Sequence, residues 1–91
     1  MMIISYDISD NKLRHRFSKY LEKFGYRLQY SVFQIDNSDR LLKIIASEIE
    51  TQFSKLFSQT DSIIIFKLSE TCRITPYGYA KNNDTDFILV E

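Results

Sequence analysis

Residues 2–25 read MIISYDISDNKLRHRFSKYLEKFG, and the stretch changes its period part-way along. Met2 to Ile8 is short, mostly apolar and β-prone, which marks a buried strand. Ser9 and Asp10 carry side-chain oxygens that accept from the free N–H groups of a first helical turn, so a helix starts there. From Asn11 to Phe24 the apolar residues Leu13, Phe17, Tyr20, Leu21 and Phe24 recur at helical spacing and form one stripe. Gly25 is expected to end that helix in the left-handed conformation, which glycine adopts without steric cost.

The remainder extends this strand–helix start. Tyr26 to Ile35 is β-like, but its apolar parity shifts near Tyr30-Ser31, so a bulge, a bend or two short strands meet there. Asn37, Ser38 and Asp39 give a second helix start. Leu42, Ile45, Ile49, Phe53 and Leu56 then supply the apolar face of a helix over about 39–57. Ile63 to Leu68 is a strand apolar enough to be central in a sheet. Residues 69–84 are polar, with Pro76 and Gly78 as punctuation, and read as a loop. Residues 85–90 are expected to form a last short strand.

The order is β-α-β-β-α-β plus a terminal strand in a single domain over residues 1–91. The class is α+β: an antiparallel sheet covered by two helices, the ferredoxin-like arrangement. The additional C-terminal strand has no necessary place in that sheet. Left on an exposed edge it would invite aggregation, and pairing with a second copy satisfies it, so a homodimer is expected.

Composition closes off several chemistries. The chain has two glycines, which excludes both a Walker loop and a dinucleotide-type glycine run. Cys72 has no cysteine partner for a disulfide or a zinc site, and reads as a partly buried free thiol. His15 is the single histidine, so no serine or cysteine nucleophile has another candidate base. No segment approaches the length of a membrane span, and the apolar start reads as a strand and not as a signal peptide. A cytoplasmic protein without membrane contact is expected.

Formal net charge is zero, but its distribution is uneven. Lys12, Arg14, Arg16, Lys19, Lys23 and Arg27 face only Glu22 between positions 12 and 27, six against one, so this stretch carries +5. The rest has six basic and eleven acidic residues, hence −5. Lys12, Arg16, Lys19 and Lys23 form a stripe along one flank of the first helix, and Arg14 borders the apolar stripe on the other. The stripe is a candidate nucleic-acid contact, against the plainer reading of a solvated helix face.

What remains is carboxylate chemistry. Asp7 stands near the end of a strand expected to be buried, where a charge needs a partner. It can cap the next helix, pair with Arg14 or Arg27, or bind a metal. Mg²⁺ takes one or two protein carboxylates and keeps several waters. A two-fold dimer can bring two copies of Asp7 to one ion. Asp10 is better explained as the helix cap.

Tyr6-Asp7-Ile8-Ser9-Asp10, then Arg14 and Arg16, then Arg27-Leu28-Gln29-Tyr30-Ser31-Val32-Phe33 together resemble the small CRISPR-associated spacer-acquisition family, the non-integrase partner of the CRISPR integrase. Its members were first described as metal-dependent endoribonucleases. The match is specific over positions 2–35, and the apolar pattern of 39–68 is compatible with it. The resemblance implies a ferredoxin-like homodimer in the prokaryotic cytoplasm, with the C-terminal strand packed on the partner's sheet. It implies Mg²⁺ bound by Asp7 across the dimer axis, with Asp7 catalytic. It places Tyr6, Arg14, Arg16, Arg27, Ser31 and Phe33 around that site, where they bear on cleavage of single-stranded RNA or of DNA. It also implies a second role, in which the dimer bridges two integrase dimers and lies along double-stranded spacer DNA. Spacer acquisition is the function expected here. The alternatives are a Mg²⁺-dependent endonuclease centred on Asp7, and a ferredoxin-like regulatory module in which Asp7 is only a cap.

Overall fold

The structure, a computed structural model, describes residues 1–78. The expected terminal strand at 85–90 lies outside the described residues. In chain order the elements are β1 (Met2–Asp7), α1 (Asn11–Leu21), β2 (Gly25–Gln29), β3 (Val32–Ile35), α2 (Asp39–Glu48) and β4 (Ser62–Lys67). The four strands form one antiparallel sheet in the order β2-β3-β1-β4.

Alternation along β1 sorts the sheet into two faces. Met2, Ile4 and Tyr6 are buried, Ile3 and Ser5 are half-buried, and Asp7 is exposed. The buried set packs with Leu13, Phe17 and Leu21 of α1, and with Ile45 and Phe53 of the second helical segment. Phe17 is the pivot: its ring meets Tyr6 edge-on at 5.1 Å and Phe53 at 5.0 Å. Such edge contacts add about 1 kcal/mol each beyond burial. Both helices therefore cover one face, and the apolar stripe read from the sequence is the one that packs.

Among the described residues nothing covers the other face. Register sets Phe66 beside Ile3, Ile64 beside Ser5 and Ser62 beside Asp7. Ile64 and Phe66 stay 52% and 46% exposed. Strand β4 was expected at the centre of the sheet and lies at its edge. Its run is apolar because Ile63 and Ile65 pack under the helices while Ile64 and Phe66 line the open face. Apolarity on both sides of a strand reports faces to be covered, not neighbours in the sheet.

Helix α1 stops at Leu21, three residues before the expected Phe24. The chain then tightens, with Lys23 N–H bonded to Tyr20 O at 3.2 Å and Phe24 N–H to Leu21 O at 2.9 Å. Gly25 is not a left-handed terminator; it opens β2, opposite Ile35. A Cβ there would lie 2.0 Å from Gln34 O, so close strand approach is what requires glycine. The parity shift resolves as two strands with a register irregularity between Arg27 and Gln29.

The second helix is not uniform to residue 57. After Glu48 it widens into a π-helical turn over Ile49–Phe53 and ends in a 3₁₀ turn over Ser54–Leu56. Thr51 and Ser54 hydroxyls bond back to Ser47 O at 2.8 Å and Glu50 O at 3.1 Å. Back-bonding of this kind bends helices. It leaves Leu56 55% exposed, although the sequence placed it on the apolar face. Among the described residues no helix is long and apolar enough to cross a membrane.

Candidate functional site

The end of β1 and the start of α1 form a junction that other elements fix. Asp10 caps α1, accepting from Leu13 N–H at 2.8 Å. Ser9 is held across the molecule: its N–H donates to Asp61 Oδ1 at 2.9 Å and its hydroxyl to the same oxygen at 3.0 Å. The other Asp61 oxygen accepts from Ser58 N–H at 2.9 Å. These donors, Ser58 N–H foremost and then Ser9 N–H, hold the Asp61 carboxyl down at about 2. Sequence reasoning passed over Asp61. Its signal was the Ser58-x-x-Asp61 spacing, which lets an acid reach back to the first N–H as in a capping box.

Asp7 is uncommitted. Among the described residues its carboxylate has no hydrogen-bond or ion-pair partner. It does not cap α1, because Asp10 does. It does not pair with Arg14 or Arg27, which are engaged elsewhere. Nor is it buried: as the last residue of β1 it faces the open side of the sheet. An exposed, unpaired carboxylate offers the hard oxygen that Mg²⁺ prefers. No group of three or more His, Cys, Asp or Glu that could hold a metal occurs among the described residues.

One residue earlier, Tyr6 points to the opposite face and into a cleft of about 250 Å³ lined by Tyr6, Asn11, Arg14, His15, Ser18, Arg27 and Tyr30. The Arg14 guanidinium donates to Ile8 O at 2.8 Å and to Asn11 Oδ1, and lies 5.6 Å from the Tyr30 ring centre. Arg27 donates to Tyr30 O at 2.6 Å, approaches Glu22 at 4.0 Å and lies 5.1 Å from the Phe33 ring centre. The Tyr6 hydroxyl reaches the same Tyr30 carbonyl at 3.5 Å. Burial raises the Tyr6 phenol above its ordinary value, and the charge of Arg27 offsets part of that rise. Ser31 contributes its backbone, accepting from Tyr6 N–H at 3.1 Å. Phe33 is fully buried beneath Arg27.

Of the sequence-derived site residues, the structure therefore gathers Tyr6, Arg14, Arg27, Ser31 and Phe33. The stripe is separate from them. Lys12, Arg16, Lys19 and Lys23 are exposed along α1 and just beyond its end. Arg16 lies over Phe53 at 5.7 Å, on the side of the second helix. Lys19 meets Glu22 at 3.7 Å, and Lys23 lies 5.7 Å from the Tyr20 ring centre. Asn11, His15 and Tyr30 were given no place in the site from sequence; their convergence depends on how α1 sits against the β2–β3 turn.

A model of the family described as CRISPR associated protein Cas2 matches residues 1–75. The chain belongs to the Cas2 family. It is 32% identical over 79 residues to the CRISPR-associated endoribonuclease Cas2 2 of Methanospirillum hungatei, covering 85% of this chain and 84% of that one. It is 33% identical over 78 residues to the CRISPR-associated endoribonuclease Cas2 of Mycobacterium tuberculosis, covering 85% of this chain and 65% of that one. A solved structure, the hypothetical protein TT1823 of Thermus thermophilus, superposes with a TM-score of 0.70 at 23% identity, over 88% of this chain and 92% of that one. At that identity the likeness speaks for the fold. The family match spans β1 to β4 and takes in both the Asp7 junction and the arginine cleft.

Proposed function

We propose that this Cas2-family chain serves CRISPR adaptation as a ferredoxin-like homodimer that bridges integrase dimers and lies along the incoming spacer DNA. The observation that carries this reading is the open sheet face. Ile64 and Phe66 stand there beside Ile3, half-exposed in a small domain that has few apolar residues to leave in water. Burial against a second copy returns roughly 25 cal/mol for each Å² of apolar surface covered. Asp7 lies on the same face, so a two-fold pairing carries two carboxylates into one interface. The helices cover the opposite face, which leaves Lys12, Arg16, Lys19 and Lys23 available to phosphates in the dimer. Such contacts make affinity fall steeply with salt.

Array expansion tests the proposal in cells that carry a CRISPR array and its integrase, with this chain present or deleted. Expansion is expected only where the chain is present. An array that grows equally without it overturns the adaptor role.

A second activity is favoured by one observation, the uncommitted Asp7 carboxylate, and agrees with relatives that carry the name endoribonuclease. In this reading Asp7 of each copy would hold Mg²⁺. When bound, the ion acidifies a coordinated water and stabilises charge on a phosphate oxygen. The chain's own part is to present Asp7 at a strand end and to hold the junction through Asp61; the guanidiniums of Arg14 and Arg27, expected around Asp7, lie in the cleft on the opposite sheet face. The regulatory-module reading loses its main support, because the cap it assigned to Asp7 is Asp10.

A further inference from the structure

We infer that the cleft between α1 and the β2–β3 turn binds a single unpaired nucleotide of a nucleic-acid strand, with Tyr30 and Arg14 as the stacking platform for its base. The inference rests on the nucleic-acid reading above and specifies a subsite for it, on the sheet face opposite Asp7. Three observations converge. First, the cleft is positive: Arg14 and Arg27 both line it, and among the described residues no acidic side chain does. Glu22 stands 4.0 Å from Arg27 and is shared with Lys19. Second, the arginines are held in place before any ligand arrives. Ile8 O and Asn11 Oδ1 fix Arg14, and Tyr30 O fixes Arg27. Each guanidinium carries five N–H donors, so donors remain for a phosphate. Third, Tyr30 is 63% exposed in the turn between two strands, with Arg14 at 5.6 Å from its ring centre. Bases splayed out of a strand stack on aromatic rings and on guanidinium planes.

Size decides between paired and unpaired nucleic acid. A cleft of about 250 Å³ takes one base with its phosphate at the rim, not a stacked pair held inside a duplex. A duplex meets the outer stripe instead. The two surfaces lie on different flanks of α1, so the chain can hold a duplex while it takes an unpaired nucleotide from the strand end.

The test uses the full chain with an oligothymidylate and with its duplex on oligoadenylate, followed by fluorescence anisotropy over a salt series. Tyr30→Ala removes the ring but keeps the main-chain carbonyl that Arg27 and Tyr6 use, so the cleft walls stand. Single-strand affinity is expected to fall about tenfold or more, with duplex affinity and the salt slope unchanged. Tyr30→Phe is expected to bind as the wild type does. Arg27→Gln is expected to weaken single-strand binding and to lower its salt slope. Tyr30→Ala that binds the single strand as tightly as wild type overturns the inference, as does an equal loss on the duplex. Wild-type protein that binds duplex but no single strand also overturns it and leaves the adaptor role standing. Protein that binds neither removes both.

Discussion

Asp61 shows how a single side chain outside the expected site can govern it. Its two oxygens join Ser58 to Ser9, and Ser9 follows the strand end that presents Asp7. Because those donors hold the native carboxyl at about 2, against 3.8 when unfolded, the unfolded chain takes up the proton first. The contribution of Asp61 is therefore whole above pH 3.8 and is lost as pH falls through about 2. Asp61→Asn removes the charge and keeps the shape. It is expected to melt at a lower temperature at neutral pH, and to lose less further stability than wild type between pH 3.8 and about 2. Melting temperature against pH for both proteins checks this. Parallel curves would mean that the clamp contributes nothing.

At the scale of elements, β2 and β3 approach so closely at Gly25 that a methyl group has no room. Gly25→Ala places a Cβ 2.0 Å from Gln34 O, so the hairpin has to spread. The expected loss is about 1–3 kcal/mol by urea unfolding. A midpoint equal to that of wild type contradicts the close approach. Gly25 also shows where sequence and structure part company. Strand β1, the cap at Asp10 and the stripe through Leu13, Phe17 and Leu21 were legible, because local period and capping chemistry specify them. The glycine was visible but its reason was not: a helix terminator and a tight strand crossing look alike until the partner strand is in place. Strand β4 was misplaced for a related reason, since Ile63 to Phe66 is apolar on both sides whichever position it takes in the sheet. Within the site, the arginines and Tyr6 were found through a motif. Asn11 and His15 were not, and Tyr30 stood inside the quoted segment without a role, because the three meet only when α1 docks against the β2–β3 turn.

The described residues present two unlike faces of one sheet. The closed face carries the helices, the arginine cleft and the basic stripe; the open face carries Ile64, Phe66 and Asp7. A dimer through the open face predicts that Ile64→Glu with Phe66→Glu sediments as a monomer and keeps its far-ultraviolet dichroism. The pair is half-exposed in the single chain, so it sets the charges in water there and buries them only in the dimer. A variant that remains dimeric places the interface elsewhere. The proposed adaptor role would draw on the stripe and the dimer, whereas the proposed cleavage would draw on the Asp7 carboxylate. The most direct measurement is array expansion in cells whose only copy of this chain carries Asp7→Ala, with dimerisation of the purified variant confirmed in parallel. An adaptor predicts expansion at the wild-type level. Loss of expansion by a folded, dimeric Asp7→Ala protein would contradict it and make the carboxylate chemistry the chain's principal function.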